Sequence, residues 1–204
     1  MRGFNRKALT AALSDQGKLN ATKLLVTDLL RSKNGYFSDQ VPETASAASL
    51  LILVWDNGGA EPSIVLQVRP QHMRTAPGAI VFPGGKIDPN EHPEDAAIRE
   101  FNEEMFQAPL LKKDALIGAL PPFVRKVPTV NGERSFWLAP IVAWSDLRFE
   151  MNPSKAEVDR VILSPVKHWL DSEDDLYTPQ NESEPLLDGN AIALLCLKKI
   201  LISN

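Results

Sequence analysis

Gly84-Gly85-Lys86-Ile87-Asp88-Pro89-Asn90-Glu91, continued by Arg99-Glu100-Phe101-Asn102-Glu103-Glu104, reads as a turn followed by an acidic helix. Pro93 suits the first helical position, where a missing N–H costs nothing, and Glu94 and Asp95 suit the positive end of the helix dipole. These residues place the start of the helix. Residues three and four apart share a helix face, so Glu100, Glu103 and Glu104 are expected to project together, with Cβ atoms roughly 5–6 Å apart. Carboxylates at that spacing repel one another unless something positive sits among them. A hard divalent cation relieves the repulsion, and all-oxygen ligation suits Mg²⁺ or Mn²⁺ rather than zinc. The competing reading is a solvated acidic face. Six fixed residues at fixed spacing arise by chance about once in a million windows or less, which favours the cation site.

The same residues resemble the Nudix box, G-x5-E-x7-R-E-U-x-E-E-x-G-U with U apolar. Gly85, Glu91, Arg99, Glu100, Phe101, Glu103 and Glu104 match in order. Phe106 stands where the family has glycine, and Gln107 where it has an apolar residue. A glycine there would end the helix in a left-handed conformation; with Phe106 the helix is expected to run on a little and to stop before Pro109.

Upstream, Val65-Leu66-Gln67-Val68-Arg69-Pro70-Gln71-His72-Met73-Arg74 leads through Gly78 to Phe82-Pro83-Gly84-Gly85. Arg69 ends an expected strand and Arg74 lies in the loop beyond it. Two guanidiniums near a metal cluster suit a phosphate clamp, because the planar fork pairs two oxygens at once, while each alone reads equally as a surface arginine or a partner for the acidic helix. This segment is similar to the signature of the coenzyme A pyrophosphatases within the Nudix family, L-L-T-x-R-(S/A)-x3-R-x3-G-x3-F-P-G-G. Leu66, Arg69, Arg74, Gly78, Phe82, Pro83, Gly84 and Gly85 sit at matching places, while Gln67 replaces the threonine and Pro70 the small residue. Weaker similarity continues through Ile117-Gly118-Ala119-Leu120-Pro121-Pro122, Pro140-Ile141-Val142 and Glu157-Val158 to Pro165, and covers about residues 46 to 202.

The rest of the chain sets bounds. Its 204 residues accommodate one well-buried domain and an extension, with 44% hydrophobic and 24% charged residues. A net charge of −4 and a pI near 5.4 argue against sequence-independent nucleic-acid binding. Cys196 is the only cysteine and lies in an apolar run, which reads as core. No apolar segment approaches the ~20 residues of a membrane span. Arg2, Arg6 and Lys7 precede any acid and faintly resemble an organelle transit peptide, but they read equally as a first helix, and a cytoplasmic protein is the expectation.

Helical spacing covers residues 4 to 14 and 21 to 31, with Leu24, Leu25, Leu29 and Leu30 as the apolar face of the second and Asn20 or Thr22 as its cap. Ser32 to Glu43 reads as a linker. Strands are expected at Ala48–Trp55, Ser63–Arg69, Ala79–Phe82, Ala115–Leu120, Ser135–Trp144 and Val158–Leu163. Ser164-Pro165 is expected to cap a short helix, and a last helix runs from Asn190 to Ile202. The expected fold is α/β (α+β): a mixed sheet packed between helices, with a helical extension over 1–44 and the main domain over 45–204. The extension packs on the body or on a partner chain, as in a homodimer.

The resemblance implies the Nudix fold and a metal-dependent pyrophosphohydrolase acting on a small nucleotide substrate. Glu100, Glu103 and Glu104, with the backbone carbonyl of Gly84, would hold the Mg²⁺ or Mn²⁺. Arg69, Arg74 and Gly85 would meet substrate, and Glu91 and Arg99 would support the cluster. The implied reaction cuts coenzyme A or an acyl derivative to 3′,5′-ADP and a phosphopantetheine product. The alternatives are another Nudix specificity (ADP-ribose, a dinucleotide or a nucleoside triphosphate) and a Nudix-fold module that binds nucleotide without catalysis.

Overall fold

The computed structural model describes residues 4–106, 108, 110–129, 132–173 and 177–202. Helices α1 (Arg6–Leu13) and α2 (Gln16–Ser32) come first, followed by strands β1 (Gly35–Phe37), β2 (Ala45–Trp55), β3 (Ser63–Val68), β4 (Ile80–Val81) and β5 (Gly84–Lys86). Helix α3 (Pro93–Met105) precedes β6 (Leu116–Ala119), β7 (Phe123–Thr129), β8 (Gly132–Ser145) and β9 (Arg160–Pro165). Helices α4 (Val166–Asp171) and α5 (Asp188–Ile202) follow, and a single 3-10 turn, Lys113–Ala115, leads into β6.

Strand β2 organises the sheet, and its sequence explains why. A strand turns alternate side chains to opposite faces, so an unbroken apolar run must be buried on both. Leu50, Ile52 and Val54 join the core beneath α1, α2 and α5; Leu51, Leu53 and Trp55 join the core beneath α3. One edge of β2 pairs in parallel with β8, from Ala45 opposite Ser135 to Trp55 opposite Ser145. The other edge pairs with β5 at Ala48–Leu50 and with β3 at Val54–Trp55. The strand order is β1-β7-β8-β2-β3-β4, with β6 on β8 and β9 on β3. Apart from β2 with β8, these ladders are antiparallel among the described residues. The result is the expected mixed sheet between helices.

Several boundaries differ from expectation. Helix α2 starts at Gln16, capped by Asp15, whose Oδ1 accepts from the Lys18 N–H at 3.0 Å, rather than at Asn20 or Thr22. Its buried stripe is Thr22, Val26 and Leu30, which leaves Leu24 at 80% and Leu25 at 61% exposure. The expected linker holds β1, paired with β7. Strand β7 escapes the sequence reading because Pro128 lies within it, and proline argues against a strand interior. Ser164 belongs to β9 and bonds the Tyr177 hydroxyl at 2.6 Å instead of capping α4. Gln107, Pro109 and Arg2 lie outside the described residues.

Cys196 is buried within α5, where desolvation pushes its thiol up to about 12, in keeping with a core side chain. Among the described residues no helix is long and apolar enough to cross a membrane.

Candidate active site

The turn before α3 closes on itself. The Glu91 N–H donates to the Asp88 carbonyl at 3.0 Å, and the Asp88 N–H donates to Glu91 Oε2 at 2.9 Å. Pro93 then occupies the first turn of the helix, with Glu94 and Asp95 beside it. Arg99, two turns on, gathers the acidic side chains. Its Nε and Nη2 donate to the two Glu91 oxygens at 2.9 Å each, and Nη2 also donates to the Lys86 carbonyl at 2.9 Å. Its Nη1 reaches Glu100 Oε1 at 2.8 Å and Glu103 Oε2 at 3.3 Å. The Glu91 hydrogen bond lifts the Arg99 pKa well above its usual range and holds the Glu91 carboxyl below its own. Helix, turn and β5 are thereby joined through one guanidinium.

The three glutamates do not share one environment. Successive helix residues are rotated by about 100°, so Glu103 and Glu104 flank Glu100 on opposite sides. Glu104 is turned inward and only 4% exposed. Its Oε2 accepts from the Gly84 N–H at 2.9 Å and its Oε1 from Gln67 Nε2 at 2.8 Å. Burial outweighs these bonds and pushes its pKa up to about 8, with the charges of Glu100 and Glu157 adding to the rise. Glu100 is raised as well, chiefly by burial, against the pull of Arg99. Glu103 points outward, its side chain 57% exposed.

Among the described residues no three His, Cys, Asp or Glu side chains are gathered about one point. The donor chemistry nonetheless fits a hard divalent cation: oxygen ligands throughout, a buried carboxylate repelled by its neighbours, and Arg99 engaged with Glu91, Glu100 and Glu103 rather than with Glu104.

Around the carboxylates, Gln67 and Glu157 are residues for which the sequence offers no role. Gln67 was visible only as a departure from the threonine of the similar signature. Glu157 was visible only within a segment of weak similarity, yet its charge bears on both Glu100 and Glu104. Its loop is tied to the end of α3: the Asn152 N–H donates to the Met105 carbonyl and the Ser154 N–H to the Glu104 carbonyl, each at 2.8 Å.

On the opposite face of the sheet lies a cavity of about 680 Å³, and Gly84, Gly85 and Lys86 line it. Gly84 has φ +148°, and a Cβ there would strike the Ser49 carbonyl. A Cβ on Gly85 would strike the Glu100 carboxyl. The two glycines are thus a thin wall shared by the carboxylates and the cavity. Arg69 lines the cavity beside them, its Nε donating to the Thr75 carbonyl at 3.1 Å. Arg74 is exposed in the same loop and is not among the lining residues. Across the cavity stand Arg125, Arg134 and Phe136, none of which the sequence reading singled out.

The chain matches the model of the NUDIX domain over residues 45–182. It is 34% identical over 143 residues to an uncharacterized Nudix hydrolase, NudL, of Enterobacter sp. (strain 638), covering 70% of this chain and 67% of that protein. It is 28% identical over 123 residues to a peroxisomal coenzyme A diphosphatase of Mus musculus, covering 60% of this chain and 48% of that one. The chain therefore spans about two thirds of the first relative and about half of the second. Among solved structures, a MutT/nudix family protein from Enterococcus faecalis superposes with a TM-score of 0.53 at 18% identity, over 83% of this chain and 61% of that one.

Proposed function

The chain belongs to the Nudix family of pyrophosphohydrolases, and from that premise we propose that it cleaves the diphosphate of coenzyme A or acyl-coenzyme A. The products are 3′,5′-ADP and 4′-phosphopantetheine or its acyl form. The observation that carries this reading is the glycine wall. Gly84 and Gly85 touch Glu104 and Glu100 on one side and a nucleotide-sized cavity on the other. A diphosphate lying along that wall is brought to the carboxylates. The spacing of Arg69 and Arg74 ahead of the box, and the likeness to the mouse coenzyme A diphosphatase, favour coenzyme A among diphosphates.

In this reading Glu100, Glu103, Glu104 and the Gly84 carbonyl hold Mg²⁺ or Mn²⁺, which when bound neutralises the diphosphate and acidifies a water molecule. The chain's own residues do the positioning, which dominates catalysis of phosphoryl transfer. Arg99 clamps Glu100 and Glu103, and Gln67 with the Gly84 N–H fixes Glu104. Arg69 grips a phosphate from the cavity side, with Arg74 as the second arm of that clamp. Glu157, on the loop fastened to the end of α3, would be the candidate base for the attacking water, because its charge acts on both Glu100 and Glu104.

The test is turnover of coenzyme A, acyl-coenzyme A, ADP-ribose, a reduced dinucleotide and a nucleoside triphosphate by purified protein with Mg²⁺ or Mn²⁺. Coenzyme A or its acyl form is expected to have the highest kcat/KM. Faster cleavage of ADP-ribose or a dinucleotide would reassign the substrate.

A further inference from the structure

Strand register sets a row of cavity side chains on one face of the sheet. Ser46 of β2 lies opposite Phe136 of β8, which lies opposite Arg125 of β7. The neighbouring pair is Arg134 with Val127. These residues all line the cavity. Small Ser46 leaves room above the sheet, and Phe136 offers a flat apolar floor with the Arg134 guanidinium 5.3 Å from its ring centre.

Arg125 is the unusual member. Its side chain is only 11% exposed, and its Nη2 donates to Asp188 Oδ2 at 3.1 Å. Its Nη1 is buried and has no partner among the described residues. A buried donor of this kind costs free energy until an acceptor meets it, and more so on a charged group. Asp188 is shared with Lys33, at 3.4 Å, so its charge is already divided between two cations. Desolvation depresses the Arg125 pKa and the Asp188 charge only opposes that shift, so an added anion would be welcome there.

The position of Arg125 separates it from the reacting group. Counting β5, β2, β8 and β7 across the sheet gives three strand spacings, about 14 Å, between the glycine wall and the strand of Arg125. That exceeds the span of a single diphosphate. Lys86 and Arg69 flank the wall, whereas Arg125 and Arg134 flank the far end.

We propose that Arg125, with Arg134 beside it, receives a phosphomonoester carried by the substrate apart from the diphosphate that is cleaved, and so selects nucleotides phosphorylated on the ribose. This rests on the reading that the diphosphate lies along Gly84 and Gly85. A phosphomonoester suits the site because it carries nearly two charges and three strong acceptor oxygens, matching a guanidinium already fixed by Asp188 with one nitrogen to spare. Phe136 and Val127 then lie under the nucleoside.

The test uses the intact chain and ligands that hold no scissile anhydride, so that it reads binding alone. Calorimetric titration with 3′,5′-ADP, 2′,5′-ADP and 5′-AMP is expected to show at least one bisphosphate bound about tenfold or more tighter than 5′-AMP; which one tells the ribose position. Arg125→Gln should bring that ratio close to one, and Arg125→Lys should keep part of it. Should Arg125→Gln alone disturb folding through the abandoned Asp188, the double variant Arg125→Gln/Asp188→Asn removes both charges and should show the same collapsed ratio. Equal binding of the three ligands by the unaltered chain, or equal weakening of all three by Arg125→Gln, would overturn the proposal. The two readings fail separately: a protein that cleaves no coenzyme A but keeps the ratio loses the proposed substrate and keeps the subsite, and cleavage without the ratio does the reverse.

Discussion

At the scale of single residues, Glu104 and the arginines of the approach loop separate catalysis from binding. Burial lifts the Glu104 carboxyl from its ordinary 4.5 to about 8, so the folded chain holds that proton more tightly than the unfolded chain does. The stability it contributes is complete below pH 4.5 and is lost as the pH rises through 8. Thermal unfolding without added metal should therefore show a falling midpoint across that window. Glu104→Gln should flatten the slope, and Mg²⁺ or Mn²⁺ should restore the unaltered chain at pH 8 but not the variant. The same variant should reduce turnover about a thousandfold, as expected for loss of a group that stabilises developing charge. Arg69 lines the cavity and Arg74 does not. Arg69→Ala should accordingly raise KM about tenfold with a smaller change in kcat, and Arg74→Ala should raise it less. Steady-state kinetics on the preferred substrate separates these outcomes.

At the scale of elements, the end of α3 explains why this chain does without the usual glycine. Phe106 sits at φ −127°, outside the left-handed region, so the freedom of glycine is not needed. The last carbonyls of the helix are satisfied by the Asn152 and Ser154 N–H groups, and Asn102 exchanges bonds of 2.8 Å with both backbone groups of Leu111. The Phe106 ring meets Phe101 and Phe149 edge to face, with centres 5.5 and 4.7 Å apart, and Phe149 stacks on Trp55 at 4.6 Å. The side chain thus fastens the loop that carries Glu157. Replacing it with glycine should lower stability by about 3 kcal/mol or more, by analogy with large-to-small core substitutions, and gain no activity. Urea unfolding reads the first effect and turnover the second. A variant of unchanged stability would mean that the aromatic cluster contributes little.

At the scale of the whole molecule, the described part of the extension, residues 4–44, shares a core with the body. We propose a division at 44/45 in sequence, since the family pattern begins at residue 45, but not in stability. Leu9, Leu13, Val26 and Leu30 are buried with Ile192, Cys196 and Ile200 of α5. Removing the extension would expose partners of four buried side chains, worth together about 6–12 kcal/mol at roughly 1.5–3 kcal/mol each. That is comparable with the whole stability of a typical domain. A chain starting at residue 45 should therefore be insoluble or lack a cooperative thermal transition. Melting within a few degrees of the full chain would refute the shared core.

What the sequence determined by itself is what lies within a turn or two of the chain. The start of α3 at Pro93, the two-sided burial of β2 and the order of Arg99, Glu100, Glu103 and Glu104 follow from local periodicity and capping, and they carried the family and the reaction class. Tertiary structure decided which of those groups are buried and what they meet. The 100° between Glu103 and Glu104 becomes a difference between solvent and core only once β5 and Gln67 are packed against one side. Arg125 finds Asp188 from 63 residues away, and the loop of Glu157 is fastened to the end of α3 through the Asn152 and Ser154 N–H groups, which brings the Glu157 charge to bear on Glu104. Such contacts depend on strand register and on the packing of distant segments, which a local pattern of residues does not encode on its own.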